Sequence, residues 1–298
     1  MSKQTNKPTE TKNQKRNKKQ NSESRNATRR TLSYLPLLLG ILIFSYPFVS
    51  NSYYKVKQKQ ANDIYFQETG KKELSNQNKI KKEYEQYNKN LAEQNYQDLS
   101  MPFSKAQRDN TLNDKNKELG EVLAVVEIPK ILVKLPVYNG TSETQLQNGI
   151  GLLNNTSLPI GGTGTHSVMT GHRGLPSAKL FTDLPKLELK DQFYIHIQNE
   201  THAYEIDQIK VVEPTQMEEL QIVNDQDYVT LLTCTPYMIN THRLLVRGHR
   251  VPYKEERRVS DLKAANKHYW LEISLFIVGA GATVLFITWR IKKKHSKL

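Results

Sequence analysis

The sequence predicts a mostly β extracellular domain, a closed barrel or sandwich with short helices. A helical arm precedes it and two membrane-spanning helices flank it. Three observations predict this. The formal net charge of +13 sits at the two ends of the 298-residue chain. A long apolar run lies just inside each basic end. From Gly120 onward, short β-branched and apolar runs alternate with turn residues, the pattern of many short strands.

The ends come first because they decide the class. Residues 1–31 hold ten Lys and Arg against Glu10 and Glu23, and the tail from Arg290 adds five more bases and no acid. Those fifteen bases less two acids account for the whole excess of +13. The middle of the chain is formally neutral, which excludes nucleic acid as a partner. Leu32–Val49 carries no charge, and Leu271–Trp289 carries only Glu272 near its start. Each run approaches the ~20 residues needed to cross a bilayer as a helix. Trp270 and Trp289, the only tryptophans, bracket the second run as interfacial anchors do. Basic flanks stay cytoplasmic, so both termini lie inside the cell membrane and the segment between the spans lies outside. A cleaved signal peptide is the competing reading of the first run, and its long basic region argues against it.

Seven segments follow. Residues 1–31 lack the apolar surface to fold and read as a disordered cytoplasmic tail. Residues 32–50 are the first transmembrane helix. Residues 51–119 form the helical arm with a loop at its end; Ile80, Tyr84, Tyr87 and Leu91 are spaced as on one helix face. Ser75–Asn78 reads as an interruption before that helix. Residues 120–253 are the β domain, with runs at Val122–Ile128, Ile131–Val137, Gly151–Leu153, His166–Thr170, Gln192–Gln198 and Ala203–Val212. Glu143–Gln147 and Ala178–Leu184 fit short helices. Residues 254–269 are a linker or short helix, 270–289 the second transmembrane helix and 290–298 a basic cytoplasmic tail.

The chemistry concentrates in Thr230-Leu-Leu-Thr-Cys234-Thr-Pro and Asn240-Thr-His-Arg243-Leu-Leu-Val-Arg-Gly. Eight residues join Cys234 to Arg243, too few for a parallel crossover, so the two flanking strands form an antiparallel hairpin. Both residues then lie at the same end of it, and a guanidinium beside a thiol favours the nucleophilic thiolate. A lone cysteine is commonly a small buried hydrophobe. Here its flanks are polar and turn-forming. No second cysteine exists to form a disulfide within the chain.

These residues, with Thr170-Gly171-His172-Arg173-Gly174 upstream, resemble the sortase signature, most closely that of the class C, pilin-polymerising sortases. The resemblance spans about Gly120–Tyr253 and selects an eight-stranded β-barrel over a sandwich. It implies a cysteine transpeptidase with Cys234, His172 and Arg243 as catalytic residues. Cys234 attacks the Thr carbonyl of a Leu-Pro-x-Thr-Gly-like sorting signal on a pilin or surface protein. Arg243 holds the substrate or the oxyanion, and His172 protonates the leaving amine and then deprotonates an acceptor lysine amine of a pilin. Geometry alone leaves His242 open beside His172. His196 and His202, around the Asn199-Glu200 turn, read as solvated. Arg247 shares a face with Arg243 but lies about 13 Å further along the strand.

Class C sortases also resemble one another in a lid before the barrel with an Asp-Pro-aromatic motif. Met101, Pro102 and Phe103 stand in its place, matching the proline and ring but lacking the acid, for which Asp98 is a candidate substitute. Neither a metal nor another cofactor is expected, since the His, Cys and carboxylates lack ligand spacing. Three alternatives stay open: anchoring of surface proteins to cell-wall peptide, a non-enzymatic membrane-tethered binding barrel, and a cysteine hydrolase.

Overall fold

Each expected β run forms a strand in the computed structural model: β1 (Val122–Ile128), β2 (Val133–Asn139), β3 (Ile150–Leu152), β4 (Thr165–Thr170), β5 (Gln192–Ile197), β6 (Glu200–Val212), β7 (Asp227–Thr235) and β8 (His242–Val251). They close into a barrel in the order β1-β2-β3-β4-β7-β8-β6-β5, with β5 returning to β1. The β2–β3 and β4–β7 pairs are parallel and the other pairs antiparallel. The structure describes residues 9–94, 99 and 119–295. It divides into two units, Met1–Ser50 and Asn51–Leu298. The lid residues Met101, Pro102 and Phe103, and Asp98, lie outside the described residues.

Side chains alternate across a strand, and β4, β7 and β8 use both faces. Met169, Val229, Leu231, Leu244 and Val246 join Phe193 and Tyr204 in the barrel core. Their neighbours Val168, Leu232 and Leu245 form a second cluster with Leu99, Leu153, Val212 and Leu220. This double burial explains why Val229–Leu232 reads as a nearly continuous apolar run rather than an alternating one. Each fully buried aliphatic side chain contributes about 1.5–3 kcal/mol.

Helix α1 (Thr9–Lys71) and helix α2 (Leu74–Ala92) precede the barrel. Residues 9–31 are helical, not disordered, because they contain no Gly or Pro and are rich in Lys, Gln and Arg, good helix formers. The interruption before α2 falls at Lys72–Glu73 rather than Ser75–Asn78. Gly70 weakens the end of α1, and the Gln77 side chain donates to the carbonyls of Thr69 (3.1 Å) and Lys72 (2.8 Å). The arm is docked on the barrel, with the Asn62 side chain donating to Lys134 O at 3.2 Å. Tyr65 Oη accepts from the Gln198 amide at 3.1 Å, and Asn88 exchanges two bonds with the backbone of Leu158 at 2.9 and 2.7 Å.

A 3-10 turn at Pro129–Ile131 and a left-handed Leu132 (φ 52°) delay β2 to Val133. Glu143–Asn148 forms α3, opened by a capping box between Ser142 and Gln145. The helix expected at Ala178–Leu184 is absent; turns and a 3-10 turn at Leu184–Lys186 replace it. Leu180 is left-handed (φ 37°), and Pro185 disfavours the α conformation in the residue before it. Residues expected as linker, second span and tail run as one helix, α4 (Glu255–His295). Its Arg258 reaches Glu127 of β1 at 2.8 Å. Burial alone would raise the Glu127 carboxyl, but His196, Lys134 and Arg258 around it outweigh burial and bring it to about 2.

Among the described residues no helix is long and apolar enough to cross a membrane. The two apolar runs fall within α1 and α4, parts of whose side chains lie outside the described residues.

Candidate active site

The β7–β8 hairpin positions two of the three expected residues. Cys234 and Arg243 are register partners, the next pair on the same face being Leu232 and Leu245. Both are buried, at 5% and 3% exposure. The Arg243 guanidinium donates to the carbonyls of Asn240 (3.2 Å) and His242 (3.1 Å), so the loop backbone aims it. That loop turns through Met238 (φ 65°) and Asn240 (φ 62°). Its Tyr237, Met238 and Ile239 stand exposed at the rim.

The parallel pairing of β4 with β7 brings the third. Thr170 pairs with Leu232, and one residue on, the Gly171 amide donates to Leu232 O at 3.1 Å. Thr233 Oγ1 donates to Gly171 O at 2.7 Å. Extending this register sets His172 alongside Cys234, just past the strand end. Gly171 is required for space: a Cβ there would come within 2.7 Å of Ile150 and 2.9 Å of Phe181. Gly174 is required for conformation, with φ +82°. Arg173 fastens the segment to the hairpin through Thr235 Oγ1 at 3.0 Å and lies over the Tyr237 ring. His172 is thus held at the margin, its side chain 19% exposed.

The competing residues go elsewhere. His242 is paired with Thr235, one residue out of phase with Arg243, and shares a bond with Thr241. His166, on the same strand as the approach to His172, is fully buried between Gln221 O and Thr230 Oγ1, both at 2.8 Å. Burial pushes its imidazole down to about 4. Arg247 forks onto Asp207 with two 3.0 Å bonds and lies over Tyr228. His196 and His202 are not solvated. His202 is buried, with Nε2 3.0 Å from Glu200, and His196 lies between Glu127 and Thr201 at 3.0 Å each. The turn falls at Gln198-Asn199, both left-handed, so both histidines enter paired strands, and Phe66 of the arm covers His196.

Two features were not read from the sequence. Glu143, the first residue of α3, places Oε1 3.6 Å from His172 Nε2. Its capping box was legible, but the contact joins residues that only the fold brings together. The second is the apolar cluster of Val168, Leu232, Leu245, Leu220 and Leu99, which continues the face that carries Cys234 and Arg243. Among the described residues, no group of three or more His, Cys, Asp or Glu could hold a metal ion.

A barrel with a buried thiol and guanidinium in register, and a histidine beside them, is the arrangement on which the comparisons bear. The sortase domain family matches residues 126–251. Sortase A of Staphylococcus aureus is 30% identical over 157 residues, covering 51% of this chain and 70% of that protein. The chain belongs to the sortase family of cysteine transpeptidases. Sortase A of Bacillus anthracis is 26% identical, and that match covers 46% of this chain and 63% of that sortase. Two solved structures align at a TM-score of 0.59 over 66% of this chain. Sortase C-1 of Streptococcus pneumoniae is 47% identical and covered in full. Sortase C1 of GBS Pilus Island 1 is 42% identical, with 94% of its chain covered.

Proposed function

We propose that this sortase is a membrane-anchored pilin polymerase whose catalytic residues are Cys234, His172 and Arg243. The observation that carries the reading is the register pairing of Cys234 with Arg243 on one face of the β7–β8 hairpin, with His172 extending the adjacent β4. The thiolate of Cys234 attacks the Thr carbonyl carbon of a Leu-Pro-x-Thr-Gly-like sorting signal. Arg243, already fixed by two loop carbonyls, stabilises the oxyanion without reorganising at the moment of reaction. His172 donates a proton to the departing glycine amine, and the C–N bond breaks to leave a thioester on Cys234. A lysine amine then replaces the sulfur.

Likeness to the pilus-island sortase C1 favours a pilin lysine as the acceptor. The sequence pattern favours two spans, with the catalytic domain outside and both termini cytoplasmic.

The test is to incubate the full-length protein with candidate surface proteins bearing sorting signals and to map cross-links by mass spectrometry. Isopeptide bonds from the signal threonine to a pilin lysine support the reading. Transfer only to cell-wall peptide favours surface-protein anchoring instead, and release only by water a hydrolase. A substrate-binding chain with no acyl-enzyme is a binding barrel. Cysteine labelling in whole cells tests the topology: a terminus accessible from outside overturns the two-span arrangement.

A further inference from the structure

The sheet order separates the two sides of His172. On one side lie β7 and β8 with Cys234, Arg243 and the apolar face. On the other lies β3, which α3 immediately precedes in the chain. Glu143 opens α3, and its carboxylate reaches His172 from that second side, with Oε1 3.6 Å from Nε2. Its position is built rather than incidental. Ser142 and Gln145 fix the start of α3 through the capping box. Gln147, one turn on, donates to Glu143 Oε1 at 3.0 Å. The carboxylate is nevertheless 51% exposed, against 19% for His172. Exposure falls from the carboxylate to the imidazole to the buried Cys234.

That order fits the second half-reaction. We propose that Glu143 forms the acceptor-binding subsite, a carboxylate that receives the primary ammonium of the incoming lysine and delivers it beside His172. The inference rests on the proposed lysine acceptor. A lysine side chain is an ammonium at neutral pH, with an unperturbed pKa of about 10.4, and an ammonium cannot attack. Its nitrogen must approach charged, then lose a proton. Two N–H protons leave in all: neutral His172 takes one and solvent the other. The nitrogen lone pair forms the C–N bond at the thioester carbonyl, the C–S bond breaks, and Cys234 departs as thiolate beside protonated His172, the state that began the cycle. A carboxylate at the entrance raises the local concentration of ammonium over water, the competing nucleophile. It therefore sets the balance between joining and hydrolysis.

The alternative is that Glu143 serves only to orient His172. The two roles separate with a nucleophile that carries no charge. The full-length protein in detergent is given a Leu-Pro-x-Thr-Gly peptide with either an Nα-blocked lysine or hydroxylamine, which is uncharged near neutral pH. Products are quantified by mass spectrometry across acceptor concentrations. In Glu143→Gln the ratio of lysine adduct to hydroxamate falls about two- to fivefold, the scale of one partly exposed ion pair, through a raised apparent KM for lysine. Glu143→Asp restores part of it. An unchanged ratio in Glu143→Gln, with both products falling together or neither falling, overturns the subsite while leaving the transpeptidase standing. If the native protein makes hydroxamate but never a lysine adduct, the lysine acceptor itself is wrong, and the subsite goes with it.

Discussion

The two ends of the sheet formed by β4, β7 and β8 use the same residue types to different effect. Near the start of β7, His166 is enclosed between Gln221 and Thr230, and Arg247 forks onto Asp207 while lying over Tyr228. Asp227 there accepts bonds from the Gly162 amide and the hydroxyls of Tyr204 and Thr165. At the other end a histidine and an arginine on the same two strands flank a thiol. His172 sits past the end of its strand, and the loop carbonyls of Asn240 and His242 aim Arg243. One end fixes its polar groups in closed networks. The other sets a buried thiol and guanidinium in register, beside a partly exposed histidine just past the strand end. Position along the strand, rather than residue type, separates the closed networks from the proposed site.

The largest test of that contrast is removal of the proposed nucleophile and histidine. Cys234→Ala should abolish acyl-enzyme formation, and His172→Ala should reduce transpeptidation to background, while thermal unfolding stays cooperative. Mass spectrometry of the thioester and a melting curve measure both. Retention of near-normal activity in His172→Ala would transfer the role to His242, despite its placement opposite Thr235 on the other face of the hairpin.

How far the sequence foretold this end can be argued residue by residue. The Cys234–Arg243 pairing was legible because a short loop permits only a hairpin, and a hairpin fixes its own register. His172 needed the motif resemblance, since what brings it to Cys234 is the parallel β4–β7 pairing between segments about sixty residues apart. Glu143 was invisible for the same reason. His196 and His202 were misread because the turn falls at Gln198-Asn199 and both enter paired strands; His196 is further covered by Phe66 of the arm, whose docking leaves no trace in a local turn. The Ala178–Leu184 helix failed on local grounds: its apolar spacing was outweighed by Pro185 and the left-handed Leu180. The eight-stranded closure came from the resemblance; alternation alone allowed a sandwich equally well.

The second test sets two arginines of one strand against each other. Arg243→Lys keeps the charge but loses the planar guanidinium, whose Nη1 donates to both Asn240 O and His242 O. Loss of a preorganised oxyanion donor costs on the order of 10²–10³ in kcat, and Arg243→Lys should fall in that range. Arg247→Lys should leave turnover within about twofold and lower stability by about 1 kcal/mol or less, as expected for a partly exposed ion pair. Single-turnover acylation and urea unfolding distinguish the two. Equal losses of activity would erase the difference between the ends.

The smallest expected effect is a pH dependence of stability that belongs to the structural end alone. Burial is the main reason His166 titrates near 4 instead of 6.5, and the nearby Arg247 charge adds to it, against the opposing bond to Gln221 O and the charge of Asp207. With its native pKa depressed, His166 binds a proton more readily in the unfolded chain. Protonation therefore favours unfolding, and stability present above about pH 6.5 is lost as pH falls towards 4. The full shift corresponds to roughly 3 kcal/mol as an upper bound. His202, buried and likewise lowered, contributes to the same slope. Glu127, held near 2, acts with the same sign in a lower window: its contribution is present above about pH 4.5 and is lost as pH falls through 2. Urea midpoints of the native protein should thus decline between pH 6.5 and 4 and again below 4.5. His166→Gln removes part of the upper slope and leaves the lower one, whereas Glu127→Gln does the reverse. Neither residue belongs to the end that carries Cys234, so at a pH where both variants remain folded the pH profile of acylation should keep its shape. A shifted acylation profile in His166→Gln would mean that the buried histidine is coupled to His172 along β4, and the two ends of the sheet would then have to be treated as one electrostatic unit.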